Sequence, residues 1–426
     1  MLLQFSVDNY RSIGEEKTLD LNASNAIKDL ADKGFISTQD KKILSSIAFY
    51  GANSSGKTNI LRAIGMMRGI VLHSVKLNDN ESLPYEPFLL TTEEMKPTKF
   101  EVAFIDQSDR AQFTYGFSFD EDEIKEEWLD AKYPRKSIKH LFRRIETQVD
   151  ADPVYFSEGY RYKDVNLNKN RLFLSLAGQL GGDISNRIIG WFRSKLVVLS
   201  GINDAGYYKR TRTKVYEDAE YKAGVLELIN KMQLGFNEFE AQKLDMSNLP
   251  FPQDMPADIV SRLINETYIE ISTIHNVYDA DGNISAKRQL SLDENESAGT
   301  NKFFNLAGPI YEALKTGNTL CIDELDSQMH PLLSWKIVEM FNNNESNKYG
   351  AQLIFTTHDT HLLSKDLFRR DQIWFVEKKR KESTGFYPML QATHNLNHAP
   401  RTDSNYQKNY ILGRYGAIPY LTNDLP

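Results

Sequence analysis

The stretch that most constrains this chain is Gly51-Ala52-Asn53-Ser54-Ser55-Gly56-Lys57-Thr58. It reads Gly-x-x-x-x-Gly-Lys-Ser/Thr, follows the apolar run Ile47-Ala48-Phe49-Tyr50 and precedes Asn59-Ile60-Leu61-Arg62-Ala63-Ile64. A strand before the glycines and a helix after them is the setting a phosphate-binding loop requires. Two glycines let the backbone curl until its N–H groups converge on phosphate oxygens. The helix adds the positive end of its dipole at the same point. Gly51, Asn53, Ser54, Ser55, Gly56, Lys57, Thr58 and Asn59 are therefore the candidate ligand-binding residues. Lys57 reaches the β- and γ-phosphates in this reading, and the Thr58 hydroxyl holds Mg²⁺. The alternative is a surface Gly/Ser turn beside an unrelated lysine. It explains neither the flanking strand nor the helical spacing of Ile60, Leu61, Ile64, Met67 and Val71.

Further along, Thr319-Leu320-Cys321-Ile322-Asp323-Glu324 is an apolar strand ending in two carboxylates. A triphosphate hydrolase needs one acid for the metal and often a second to activate water. Adjacent strand residues diverge, which assigns Asp323 to Mg²⁺ and Glu324 to the general base. The strand-like Ala351-Gln352-Leu353-Ile354-Phe355-Thr356-Thr357 runs out to His358, placed to hydrogen-bond a γ-phosphate. A metal pair of His358 with His361 lacks a third ligand at a persuasive spacing. Between these motifs, Glu296-Ser297-Ala298-Gly299-Thr300 opens a helical segment, and such a turn is either a second anion site or only a helix cap.

Composition sets the remaining bounds. The 426 residues are 41% hydrophobic and 26% charged, with a net charge of −7, as in an ordinary globular chain of two or three domains or of one domain carrying large insertions. That balance argues against a surface built throughout to grip nucleic acid. Three basic clusters stand out: Arg135, Lys136, Lys139, Arg143 and Arg144; Lys209, Arg210, Arg212 and Lys214; and Lys378 to Lys381. Such runs usually mark solvated faces, and nucleic-acid contact stands beside that reading for the first two, the second having Tyr207 and Tyr208 available to stack on bases. The single cysteine, Cys321, reads as core. No apolar run approaches the ~18 residues of a membrane span, and the N-terminus lacks a signal-peptide pattern. The expected location is cytoplasmic, with no membrane partner.

Strands are expected over Leu2–Val7 and Lys17–Leu21. More follow at Phe100–Ile105, Gln112–Phe119, Ile124–Leu129 and Ile138–Ile145, with aromatics on one face. Helices follow, one capped by Asp183, one over 221–234. Strands return at 268–274 and 284–292. Pro250, Pro252 and Pro256 suggest a boundary. The expected fold class is α/β, a P-loop head with a mixed sheet. Residues 1–95 carry its N-terminal part, 96–260 an inserted antiparallel sheet and helical region, and 261–426 its C-terminal part.

The order of P-loop, long insertion, Ser-x-Gly-Thr, Asp-Glu and His resembles the ABC-type ATPase heads of the SMC, RecF and OLD kind. It is most similar to the short bacterial AAA-labelled ATP-binding proteins of phage-defence and abortive-infection operons. Phe5-Ser6-Val7-Asp8-Asn9-Tyr10-Arg11-Ser12, Leu325-Asp326-Ser327-Gln328-Met329-His330-Pro331 and Tyr410 to Pro419 extend the likeness over most of the chain. The resemblance implies ATP and Mg²⁺ as ligands and a homodimer of ATP-bound heads. In that dimer the signature turn of one subunit, here Ser297, Gly299 and Thr300, meets the γ-phosphate held by the other. Asp326 matches the loop crossing between sites, and His358 the switch histidine. The signature departs from the Leu-Ser-Gly-Gly-Gln of transporters, and the coupling glutamine has no assigned counterpart. OLD-type proteins carry a nuclease domain after the head, and no acid cluster for one follows His358. The resemblance thus implies a separately encoded effector, a nuclease or toxin. Direct action on DNA and an ATP-gated scaffold with negligible turnover are the alternative functions.

Overall fold

The short, uniformly apolar runs become the inner strands of a parallel sheet, and the alternating runs build an antiparallel one. The computed structural model describes residues 1–419, apart from 31, 39, 93, 201–204, 245–254, 257, 258, 260–267, 393–399, 402 and 403. Its first ten strands are β1 (Leu2–Asp8), β2 (Lys17–Asp20), β3 (Phe35–Ser37), β4 (Lys42–Leu44), β5 (Ser46–Tyr50), β6 (Thr98–Ile105), β7 (Gln112–Phe119), β8 (Ile124–Lys132), β9 (Lys139–Ile145) and β10 (Gln148–Ala151). There follow β11 (Leu196–Leu199), β12 (Glu238–Leu244), β13 (Tyr268–Tyr278), β14 (Ile284–Ser291), β15 (Thr319–Ile322), β16 (Gln352–Thr356), β17 (Ile373–Lys378) and β18 (Thr384–Pro388).

One sheet has the order β11-β15-β16-β5-β17-β18. It is parallel except for the edge pair β17 and β18. Strands β5, β15 and β16 are buried along their whole length, as strands covered on both faces must be. Side-chain alternation divides them between two cores. Ile47, Phe49 and Cys321 pack with the helix Lys57–His73, whereas Ala48, Tyr50, Leu320 and Ile322 face the helices Ala298–Thr316 and Pro331–Asn342.

The second sheet is antiparallel, ordered β10-β9-β8-β7-β6-β1-β2. Strand β1 lies between β2 and β6, with Phe5 opposite Leu19 on one side and Val102 on the other. This sheet therefore draws on both the first twenty residues and the stretch after 98. Phe100, Phe104, Phe113, Tyr115 and Phe117 fill its inner face, and Phe104 stacks on Trp191 of the helix Asp183–Ser194 at 4.1 Å. A third sheet, β12-β13-β14, leads into the signature turn.

Two local expectations are corrected. Asp183 does not cap its helix: it is the first helical residue, and the carboxylate of Glu158 accepts from Ile184 N (3.0 Å) and Ser185 N (2.7 Å) instead. Arg144 is not part of an exposed basic cluster. It is buried against Glu127 at 3.3 Å, and that carboxylate also accepts from Phe173 N, Leu174 N and Tyr115 Oη. Pro250, Pro252 and the expected boundary at residue 260 lie outside the described residues.

Candidate functional site

Strand β5 delivers the chain to the sheet end, where it turns through residues 51–56 into the helix Lys57–His73. The glycines are required by space as well as by conformation. A Cβ on Gly51 would overlap the Val376 carbonyl, and one on Gly56, whose φ is +103°, would overlap Thr384 Oγ1. Ser54 is also left-handed, at φ +61°. Thr384 Oγ1 lies 2.9 Å from the Ser55 carbonyl and 2.8 Å from Ser12 Oγ, and Asn59 Nδ2 donates to Ser12 Oγ at 2.7 Å. The loop is thus held from outside by β18 and the turn after β1. Asn53 and Ser54 are exposed, whereas Ser55 Oγ is buried and has no partner among the described residues. Such an orphaned hydroxyl in a glycine-lined cradle fits a phosphate oxygen.

Lys57 Nζ donates to Gly51 O (2.7 Å) and Ala52 O (3.1 Å), which centres the ammonium in the loop. Burial pushes its pKa down to about 8, against the opposing pull of Asp323, Glu324 and Asp326. All three carboxylates therefore share the electrostatic neighbourhood of Lys57.

The two acids lie beyond β15 and not on it. Asp323 is buried (6% exposed), and Glu324 follows in a turn at φ +50°. Their divergence comes from this turn and not from strand alternation. Thr356, the last residue of β16, ties them together: its hydroxyl donates to Asp323 Oδ1 (2.6 Å) and accepts from Glu324 N (2.7 Å). Sequence reasoning missed Thr356, and also Ser12 and Thr384. The one available signal was the threonine two residues before His358 at the end of a fully apolar strand.

His358 N donates to Asp326 Oδ2 at 3.2 Å, while Asp326 Oδ1 is buried and has no partner among the described residues. Burial, and then the nearby Lys57 charge, lower the His358 pKa below its ordinary value, so the ring is neutral at pH 7. His361 is engaged by Asp359 at 2.9 Å.

Ser297 caps the helix Ala298–Thr316, its Oγ accepting from Thr300 N at 3.1 Å. The turn packs on the segment after the acids, since a Cβ on Gly299 would stand 2.6 Å from Gln328 O. Among the described residues no hydrogen bond joins Ser297, Gly299 or Thr300 to residues 51–59. Within one chain, then, Lys57, Asp323, Glu324, Asp326 and His358 form one group, while the turn at Ser297 packs on the segment that follows the acids.

The basic clusters are partly neutralised. Arg143 pairs with Asp130 (2.8 Å), Arg210 and Lys214 share Glu312, and Arg212 grips Asp293 at 2.6 Å. No helix among the described residues is long and apolar enough to cross a membrane.

The parallel sheet, with the glycine loop between β5 and the helix Lys57–His73, makes the fold α/β of the P-loop kind. The SMC head domain from Thermotoga maritima aligns at TM-score 0.40 and 13% identity, over 91% of this chain and 98% of that one. The Smc head domain of Pyrococcus yayanosii aligns at 0.40 and 10%, over 91% and 97%. The recombination mediator RecF with ATP aligns at 0.34 and 10%, also over 91% and 97%. No curated protein matches the chain. The model of the family described as "AAA domain, putative AbiEii toxin, Type IV TA system" matches residues 46–364, a span that holds the P-loop, both acids, the signature turn and His358. The chain belongs to that AAA family.

Proposed function

We propose that this protein is a Mg²⁺-dependent ATPase that dimerises head to tail around two ATP molecules and uses their hydrolysis to control a separately encoded nuclease or toxin in bacterial anti-phage defence. The observation that carries the catalytic part is the Thr356 hydroxyl, which fixes a buried acid and a half-exposed one in a set relation beside Lys57. The Thr58 hydroxyl and the Asp323 carboxylate are hard oxygen donors, the chemistry that suits Mg²⁺. When bound there, the ion neutralises phosphate charge. The backbone of 51–56 and Lys57 bind and orient the phosphates. Glu324 takes the proton from the attacking water as the bond from the γ-phosphorus to the bridging oxygen breaks, and ADP departs. Neutral His358 donates a hydrogen bond to the γ-phosphate and, through its backbone N–H, holds Asp326.

Dimerisation is supported by two features. The turn at Ser297 makes no hydrogen bond to residues 51–59 of its own chain among the described residues, which supports a site completed by another subunit's turn. Asp326 also keeps one buried carboxylate oxygen without a partner among the described residues, which a donor supplied on dimerisation would satisfy. The defence role is supported by the family's toxin–antitoxin description. Glu324→Gln tests the catalytic assignment: the variant should bind ATP, form a longer-lived dimer and release phosphate at least ~100-fold more slowly. Normal turnover would remove Glu324 as the base.

A further inference from the structure

Lys302 is a lysine only 4% exposed, one turn into the helix that Ser297 caps. Its Nζ donates to Glu324 O at 3.0 Å and to Ser327 O at 2.7 Å. Burying an ammonium group costs free energy that an apolar side chain of the same length would not. It is kept here on two backbone carbonyls that bracket the segment from the general base to the crossing loop. That segment is folded back on itself, with Ser327 N donating to Glu324 O and Met329 N to Asp326 O, both at 3.1 Å. Glu324 holds a left-handed backbone at its start. On the same helix, Gly299 packs directly on Gln328 O. The first turn of the signature helix and residues 324–328 are therefore one mechanical unit, pinned at two points by Lys302 and closely packed at a third.

We propose that Lys302 is a positioning residue that couples the two ATP sites of the dimer. When a partner's ATP seats the signature turn, Lys302 carries the shift to the backbone of Glu324 and Asp326 in the same subunit. The base then takes its working position for that subunit's own ATP. This rests on the head-to-tail reading above. It names a link that neither the P-loop nor the acids show on their own.

The test is steady-state kinetics on Lys302→Met, which keeps the stem and removes the donors, and on Lys302→Gln, which keeps an N–H donor without the charge. The unmodified protein should show a sigmoidal ATP dependence; Lys302→Met should bind ATP as it does but lose at least ~10-fold in kcat and lose that sigmoidality, with partial recovery in Lys302→Gln. An unchanged kcat in Lys302→Met overturns the proposal; if that variant does not fold, the same result in Lys302→Gln does so. A loss confined to KM also overturns it. Mixed dimers separate coupling from simple support of the turn. Paired with a Glu324→Gln subunit, a Lys302→Met subunit should be slow. Placing Lys302→Met on the Glu324→Gln subunit should leave the other subunit's rate unaltered, and slowing in that second arrangement overturns the proposal. If Glu324→Gln itself turns over normally, the base assignment fails. If it is inactive while Lys302→Met is normal, only the coupling fails.

Discussion

Lys57 sits where burial and three carboxylates pull its proton in opposite directions, and burial wins, leaving the pKa at about 8. The group is cationic at pH 7 and loses its charge as pH rises through 8. A triphosphate favours the cation, so ATP binding above that point takes up a proton. Affinity should fall as pH rises from 7 to 9.5, approaching about tenfold per unit at the upper end. Fluorescent-nucleotide titration checks this, and Lys57→Arg, whose charge does not titrate there, should flatten the slope. A flat profile for the unmodified protein would show that the ammonium is not the titrating contact. The sign reverses for folding. Between pH 8 and the ordinary lysine value the unfolded chain holds more protons, so this group's contribution to stability rises with pH. Thr356 makes the second residue-scale case. Thr356→Val keeps the volume and removes one donor and one acceptor, freeing Asp323 and leaving Glu324 N unpaired. We expect kcat to drop by roughly 10–100-fold with little change in melting temperature. Normal phosphate release would remove Thr356 from the site. Lys57 was legible because its motif fixes its surroundings. Thr356 was not, because its meaning comes from a neighbouring strand pairing 33 residues away in sequence.

Elements explain which other readings survived. The parallel strands were legible because five-residue apolar runs ending in Gly51 or His358 have few other uses. The β9 strand was legible too, but not which of its side chains turn inward, because it carries an irregularity opposite Leu129 and Asp130. That shift buries both Leu141 and Phe142 and reverses the alternation after them, so Arg143 points to solvent and Arg144 inward. A run that looked like a solvated basic face thus donates its last member to the core. There Arg144 and Glu127 join β8 and β9 to the helix Phe173–Gln179, through Phe173 N (2.7 Å) and Leu174 N (2.9 Å). Arg144→Met would leave Glu127 buried without a countercharge, held only by Phe173 N, Leu174 N and Tyr115 Oη. Chemical denaturation should show a loss of ~3–5 kcal/mol, far more than for Arg143→Met on the outer face. Equal effects from the two substitutions would mean the buried pair contributes nothing specific.

At the scale of the whole molecule, the turn at Ser297 makes no hydrogen bond to residues 51–59 of its own chain among the described residues, which supports the proposed dimer. In the proposed dimer each chain contributes two half-sites, which the two-fold joins into two complete ones. The pairing of β1 with β6 and the packing of Gly299 on Gln328 were invisible in the linear order, since both depend on contacts across long stretches of chain. The proposed composite site has a direct consequence. Ser297→Arg should block the turn, and Glu324→Gln should remove the base, so each variant alone should have little turnover. Mixed in equal amounts, they form dimers in which the intact base of the Ser297→Arg subunit faces the intact turn of the Glu324→Gln subunit. Half of the dimers are then mixed and each carries one working site of two, so phosphate release should return to at most about a quarter of the unmodified rate, and to less where the blocked turn no longer drives that subunit's base through Lys302. Adding a Lys57→Ala change to the Ser297→Arg subunit should abolish that recovery, because the working site uses that subunit's own P-loop. If the mixture stays as inactive as its components, the sites are not shared between subunits, and the signature turn must then act within its own chain.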